Sequence, residues 1–237
     1  YLDLALGAFS FGHTFAAAFR SHSNLAIYSR YRIRFTLVPL SLLLLISVSP
    51  YFFAIAFVVA AFWDIHHRAM QTFGLGRLYD LRRKLNDDSN RPWEIAFNII
   101  WYVGPLAVGF NLMERFREFT KVADEGAPSF FFSVEPFVDQ HKSILPPIVG
   151  TIMVVFMLAY TARTLKRWRA GHRASPQKWL LYMSTSVVSI FAWGFNSFGA
   201  GFLIMSYFHA LQYFFLVWHI EKKNIRELCN LESEQVS

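Results

Sequence analysis

Histidines within apolar stretches are the residues of this chain best suited to chemistry. His13, the adjacent pair His66 and His67, and His209 fall in three different apolar stretches of the sequence. Ionisable side chains inside membrane-spanning helices are costly and usually face the bundle interior, where they serve ion paths, proton relays or bound metals. Several such residues at similar depth predict one common site.

Two of these histidines have a glutamine about one helical turn further along the chain. Gln71 follows His67 at i,i+4 and Gln212 follows His209 at i,i+3, so each pair shares a helix face. Such a pair can bind a metal through the imidazole and orient a ligand or water through the amide. We therefore predict that Gln71 and Gln212 act in catalysis. His66 points about 100° away from His67 on the same helix.

The predicted metal ligands are His13, His67 and His209, with His66 as a fourth candidate. Neutral imidazole suits iron, copper, zinc and nickel. Asp64 is the only acid deep in these stretches, and Arg68 one turn later can neutralise it. A ligand set of histidines favours mononuclear iron or copper and redox chemistry with dioxygen, and zinc hydrolysis remains open.

Three functions compete at this stage. The first is a membrane-embedded oxidoreductase of oxygenase type, acting on a hydrophobic small-molecule substrate through an iron or copper ion. The second is a haem b protein, in which two of the histidines are axial ligands and the role is electron transfer. The third is a non-enzymatic transport or accessory subunit of a larger membrane complex, in which the histidines serve proton transfer or helix packing.

Composition predicts an integral membrane protein with the lipid bilayer as its main partner. The chain is 54% hydrophobic and only 16% charged, whereas soluble domains carry about 25% charge. Its net charge of +7 is concentrated in short segments between apolar runs, which favours membrane orientation over nucleic-acid binding. The single cysteine, Cys229, excludes an internal disulfide and a thiolate-rich metal site.

Apolar runs long enough to cross a bilayer predict an all-α bundle of about seven transmembrane helices. The predicted spans are 2–19, 33–48, 51–73, 94–113, 144–165, 178–198 and 201–220. Pro39 and the short length of the second span predict a tilt, a kink or a partly re-entrant course there. The glycines at 74 and 76 predict that the third helix ends or loosens before Arg77, and the segment 199–201 predicts a break before the last.

Basic residues predict the orientation. The basic segments 20–34, 77–91 and 163–178 fall on one side if seven helices alternate, so that side is cytoplasmic. The mixed-charge loop 114–143 is then external, and the tail 221–237 is cytoplasmic. The phenylalanines of the loop predict either an amphipathic cap along the outer interface or a loop packed partly against neighbouring helices or subunits. This pattern is typical of a multi-pass protein of a bacterial-type inner or plasma membrane.

We predict one integral membrane domain over residues 1–237, because no internal repeat or low-complexity linker is evident. The first apolar run has no basic region before it and no small-residue cleavage site, so we do not expect a signal peptide there. Its apolar start at Tyr1 is compatible with a further segment upstream. The HxxxH and HxxHH boxes of membrane desaturases are missing, as are the His-Gly-Ala-Leu-Asp and His-Phe-Gly segments of carotenoid-cleaving oxygenases.

Overall fold

The computed structural model describes residues 2–85, 88–108, 140–141 and 143–228. Within these residues the protein is helical, with no strand. A short 3-10 turn at Asp88–Asn90 precedes the fourth helix. The α-helices are α1 (Leu2–Ser23), α2 (Leu25–Val48), α3 (Pro50–Arg82), α4 (Arg91–Val108), α5 (Leu145–Arg169), α6 (Pro176–Phe195) and α7 (Phe198–Leu228).

Three of the described helices carry segments long and apolar enough to cross a membrane. They are Leu25–Val48, Leu145–Arg169 and Gly199–Trp218. This finding agrees with the predicted membrane protein and all-α class, although three is fewer than the seven spans predicted. The count of seven and the cytoplasmic C-terminus therefore stay predictions.

The glycines near the end of α3 do not terminate it, so of the two predicted effects, ending or loosening the helix, the first is wrong. The helix continues through Gly74 and Gly76 to Arg82. A Cβ on Gly76 would lie 2.7 Å from the hydroxyl oxygen of Tyr182, so this glycine allows the α6 tyrosine to pack against α3. Close packing, rather than helix termination, is its physical role.

Two other irregularities were predicted, in the second span and before the last helix. In α2 the helix runs through Pro39, where the tilt, kink or re-entrant course stays a prediction, and a residue with non-helical backbone angles is Tyr31, with φ −126° and ψ 22°. The break before α7 falls at Asn196 and Ser197, and the glycines of segment 199–201 lie inside the helix. A Cβ on Gly201 would meet the Ala192 carbonyl oxygen at 2.5 Å, so it too permits close packing.

The ends of α3 and α5 close with the same pattern of backbone hydrogen bonds, the Schellman motif. At the end of α3, the Leu85 N–H donates to the carbonyl of Asp80 at 2.9 Å. The left-handed residue is Gly171 after α5, with φ 89°, but Lys84 after α3, with φ 59°. Because glycine adopts this conformation without steric cost, a lysine there is unusual.

Contacts divide the chain into two compact units, and the single-domain assignment stays a prediction. One unit comprises residues 1–48 and 206–237, and the other comprises residues 49–205. We call them the terminal unit and the middle unit. The predicted external loop falls almost entirely on residues 109–139 and 142, which lie outside the described part, as do residues 229–237 of the predicted tail.

The middle unit contains two apolar clusters. In it, α3 packs on α4 and α6, and α4 also packs on α5 and α6. The first cluster includes Tyr102, Trp193 and Met205. In the second, Phe97 stacks on Tyr182 with ring centroids 5.3 Å apart. These clusters fix the relative positions of the helix ends that carry the charged residues described below.

Candidate functional site

Two of the predicted metal ligands lie against each other in the terminal unit. The ring centroids of His13 on α1 and His209 on α7 are 4.8 Å apart, and the ring planes are tilted by 58°. The side chain of His209 is buried, with 4% of the residue exposed. These residues are 196 positions apart in the sequence. Their contact is therefore a result of the fold.

The spacing of the two rings suits two neighbouring ligands of one metal ion. With metal–nitrogen bonds of about 2.0–2.1 Å, two imidazoles at 90–110° to each other hold their centroids roughly 4.5–5.2 Å apart. The observed 4.8 Å falls in that interval. A ligand nitrogen of His13 and one of His209 lie within 4.8 Å of each other, close enough for both to reach one ion.

Tyr213 is a site residue that the sequence analysis missed. Its ring meets the His13 ring edge-on, with centroids 4.4 Å apart and planes at 71°. Tyr213 follows His209 at i,i+4, the spacing that was used for the glutamines, so that spacing could have identified it. Its contact with His13 places a phenol-bearing ring beside the histidine pair.

Aromatic rings pack around the same stretch of α1 and α7. Phe9 contacts Tyr207 and Phe214, with centroids 5.0 Å and 4.9 Å apart. A Cβ on Gly12 would lie 3.2 Å from the Phe214 ring, so the glycine lets the two helices approach. The histidine pair therefore lies beside an apolar, aromatic helix contact.

Of the two predicted catalytic glutamines, Gln212 belongs to this unit. It is buried, with 9% of its surface exposed, and it follows buried His209 by three residues. Gln71 lies on α3 in the middle unit and is half-buried. The assignment of Gln71 and Gln212 to catalysis stays a prediction.

His66 and His67 lie on α3, in the middle unit. His66 is exposed, and its ring centroid is 5.6 Å from that of Trp63. The predicted ion pair between Asp64 and Arg68 is confirmed, with Arg68 Nε donating to Asp64 Oδ1 at 2.9 Å. The Asp64 carboxylate is therefore neutralised within its own helix. The roles of His66 and His67 as ligands stay predictions.

A buried charge cluster at one end of the middle unit was not predicted from the sequence. Lys178 on α6 donates to Asp80 Oδ2 of α3 at 2.7 Å and to Glu94 Oε1 of α4. The three side chains are between 3% and 6% exposed. The cluster is the most deeply buried set of ion pairs among the described residues, and it joins three helices.

Local structure positions each member of this cluster. Ser175 caps α6, because its Oγ accepts the Lys178 N–H at 3.2 Å, and its own backbone N–H donates to Asp80 Oδ1 at 2.9 Å. Glu94 sits in the first turn of α4, where Asn90 Nδ2 donates to its Oε1 at 3.3 Å. Helix caps and first-turn acids thus bring the two carboxylates to one ammonium.

The basic segments 77–91 and 163–178 meet at this end of the middle unit. Arg163 Nε donates to Asn90 Oδ1 at 3.0 Å, and Arg167 donates to Ser89 Oγ at 2.5 Å. This proximity agrees with the prediction that both segments lie on the same side of the membrane.

No known protein family, curated protein or solved structure matches this chain. Any function must therefore be argued from the side chains themselves.

Proposed function

We propose that this protein is a membrane-embedded, metal-dependent oxidoreductase in which His13 and His209 bind iron or copper. The observation that carries the proposal is the 4.8 Å separation of their ring centroids, with His209 buried. The sequence predicts that His67, with His66 as a fourth candidate, completes the ligand set. Neutral imidazole ligands favour iron or copper over calcium or magnesium, which prefer oxygen.

The groups beside the pair have roles that fit redox chemistry. Tyr213 contacts His13 and can hold its ring in place, which fixes the direction of the ligand nitrogen. Gln212, with Gln71 as the second predicted glutamine, would orient the substrate or a water molecule through its amide.

The proposed substrate is a lipid-soluble molecule, and the proposed oxidant is dioxygen. Electrons would pass from the substrate to dioxygen, so the substrate is oxidised and the oxygen reduced. The aromatic contacts of Phe9 with Tyr207 and Phe214 support an apolar ligand, because Phe9 lies one helical turn before His13. We place the site within a seven-helix, multi-pass protein whose C-terminus is cytoplasmic.

Ring spacing argues against His13 and His209 as the two axial ligands of one haem. Axial imidazoles lie on opposite faces of the porphyrin, so their centroids are roughly 6 Å apart when each metal–nitrogen bond is about 2 Å. The observed 4.8 Å leaves no room for a porphyrin between the rings. For this pair of histidines, a non-haem site is therefore better supported than a haem.

Metal analysis of the detergent-purified protein tests the proposal. We expect close to one iron or copper per chain in the wild type, and its loss in His13→Ala and His209→Ala. His22→Ala is the matched control, because His22 lies on α1 as well but is exposed. It should retain the full metal content.

Two results would contradict the proposal. Equal metal content in all four proteins would remove the histidine pair from any metal site. A Soret band in the visible spectrum of the wild type would show a haem protein instead.

A further inference from the structure

A polar cavity of about 510 Å³ opens beside the buried charge cluster of the middle unit. Asp80, Glu94 and Lys178 line its buried side, and Lys84 and Arg173 line its exposed rim. The cavity lies where the basic segments 77–91 and 163–178 meet. It involves none of the histidines of the proposed metal site.

The buried side of the cavity carries one negative charge in excess, because two carboxylates share the single ammonium of Lys178. Both oxygens of Asp80 accept hydrogen bonds, one from Lys178 and one from the Ser175 N–H. Glu94 differs, since its buried Oε2 accepts no hydrogen bond within the described part of the chain. A buried carboxylate oxygen of this kind suits a cationic N–H donor from a ligand.

The rim of the cavity is cationic. Asp88 also lines the cavity, but it is paired with Arg77 at 2.6 Å and so does not neutralise the rim. Lys84 holds its exposed side chain at the rim from a left-handed backbone position, φ 59°, which is costly for residues other than glycine, asparagine and aspartate. Strained backbone positions are concentrated at binding sites, and a fixed cation here suits a phosphate.

A second cavity of about 1060 Å³ adjoins the first and is mainly apolar. Leu165, Trp168 and Met183 line it, and all three are substantially exposed, as lipid-facing residues are. Trp179 and Arg173 line both cavities. The two cavities therefore form one site with an acidic end, a cationic rim and an apolar extension.

We propose that this site binds a glycerophospholipid with a primary-amine headgroup of the ethanolamine type. The ammonium donates to Glu94 Oε2, and the phosphate binds the cationic rim at Lys84 and Arg173. An acyl chain occupies the apolar cavity beside Trp168. The order of charges in the ligand, with the ammonium at the tip and the phosphate between it and the chains, matches the order in the site.

Titration of the detergent-purified full chain with dioctanoyl phospholipids tests the headgroup. We expect the ethanolamine lipid to half-saturate at a concentration at least tenfold lower than the choline lipid, whose quaternary nitrogen has no N–H to donate. The lipid with a glycerol headgroup, which has no cation, should bind as weakly as the choline lipid. Free phosphoethanolamine should bind at least tenfold more weakly than the ethanolamine lipid, because it lacks chains.

Variants separate the two ends of the site. Glu94→Gln should remove the preference for ethanolamine over choline. Lys84→Asn, which tolerates the left-handed backbone, should weaken all three lipids about threefold to tenfold through the lost phosphate contact and leave the preference intact. Lys222→Gln removes an exposed cation of the terminal unit and should bind like the wild type.

Several outcomes would overturn the proposal. Equal binding of ethanolamine and choline lipids to the wild type would exclude an N–H donor at Glu94. Tighter binding of the glycerol lipid would mean that the site is an anion site only, and equal binding of phosphoethanolamine would mean a soluble ligand. If Glu94→Gln fails to fold, the wild-type headgroup series and Lys84→Asn still decide the question.

Discussion

Replacement of Lys178 by methionine tests whether the buried charge cluster holds the ends of α3, α4 and α6 together. Methionine keeps the length of the side chain but removes the ammonium shared by Asp80 and Glu94. The three side chains are 3–6% exposed, so the carboxylates would be left without their cation and largely without water. Breaking a buried ion pair by removing one partner costs about 3–5 kcal/mol, and we expect a loss of that size.

The ion pair of Arg77 with Asp88 is the matched control. It lies near the same end of the middle unit, but the Asp88 side chain is 72% exposed. Water screens such a pair, and its loss in Asp88→Asn should cost less than about 1 kcal/mol. The difference between the two variants therefore reports mainly how burial changes the cost of breaking an ion pair.

A third protein separates the loss of attraction from the burial of uncompensated charge. Changing Lys178→Met together with Asp80→Asn and Glu94→Gln removes all three charges while keeping similar shapes. We expect this protein to be more stable than Lys178→Met alone, because no buried charge remains uncompensated. The free energy of unfolding is measured by denaturation in detergent micelles, followed by circular dichroism.

A loss of stability in Lys178→Met no larger than that in Asp88→Asn would contradict this prediction. A triple variant that is the least stable of the three proteins would contradict it as well. Equal losses in the two single variants would mean that water reaches the cluster in the wild-type protein. A triple variant of lowest stability would mean that the three side chains stabilise the fold through interactions other than those between their charges.

The remaining predictions concern packing and capping near the same cluster, and the same unfolding measurement checks them. Gly76→Ala should destabilise by about 1–3 kcal/mol, because its Cβ would overlap the buried Tyr182 ring. Gly74→Ala, where nothing lies within 4 Å of the new Cβ, should instead stabilise the helix by about 0.5–1 kcal/mol, and equal effects at both positions would contradict the packing argument. Ser175→Ala should cost about 0.5–2 kcal/mol through loss of the cap on α6, and an unchanged stability would show that the hydrogen bond from the Lys178 N–H contributes nothing.

The sequence predicts the helices of this protein well because long apolar runs leave few alternatives to a helix in a membrane. It predicts their ends less well. Gly76 was expected to end or loosen a helix and Gly201 to break the chain before one, yet both lie inside helices, where the absence of a Cβ admits a neighbour. Whether a glycine ends a helix or admits a neighbour depends on what packs against it, and that information is not local.

The candidate site was partly accessible to the same kind of reasoning. Histidines at similar depth identified His13 and His209 as residues to examine, and their contact could only come from the fold. Tyr213 was missed because aromatic residues make up 18% of this chain, so that one more of them carries little signal. Its spacing of i,i+4 from His209 carried the signal.

The Lys178 cluster was missed because a count of basic residues ignores which group each one binds. Lys178, Arg163 and Arg167 were counted as cytoplasmic charges, a use in which only their number and sign matter. In the structure each of them also binds a specific group of another segment: Lys178 binds two buried carboxylates, and the arginines bind the Asp88–Asn90 turn. Acidic residues in such segments carry more information, because they do not contribute to membrane orientation. Once Asp80 and Glu94 are buried, each needs a cationic or hydrogen-bonding partner. An acidic residue next to a predicted span, with basic residues near the ends of other spans, therefore predicts a contact between helix ends that hydropathy alone does not.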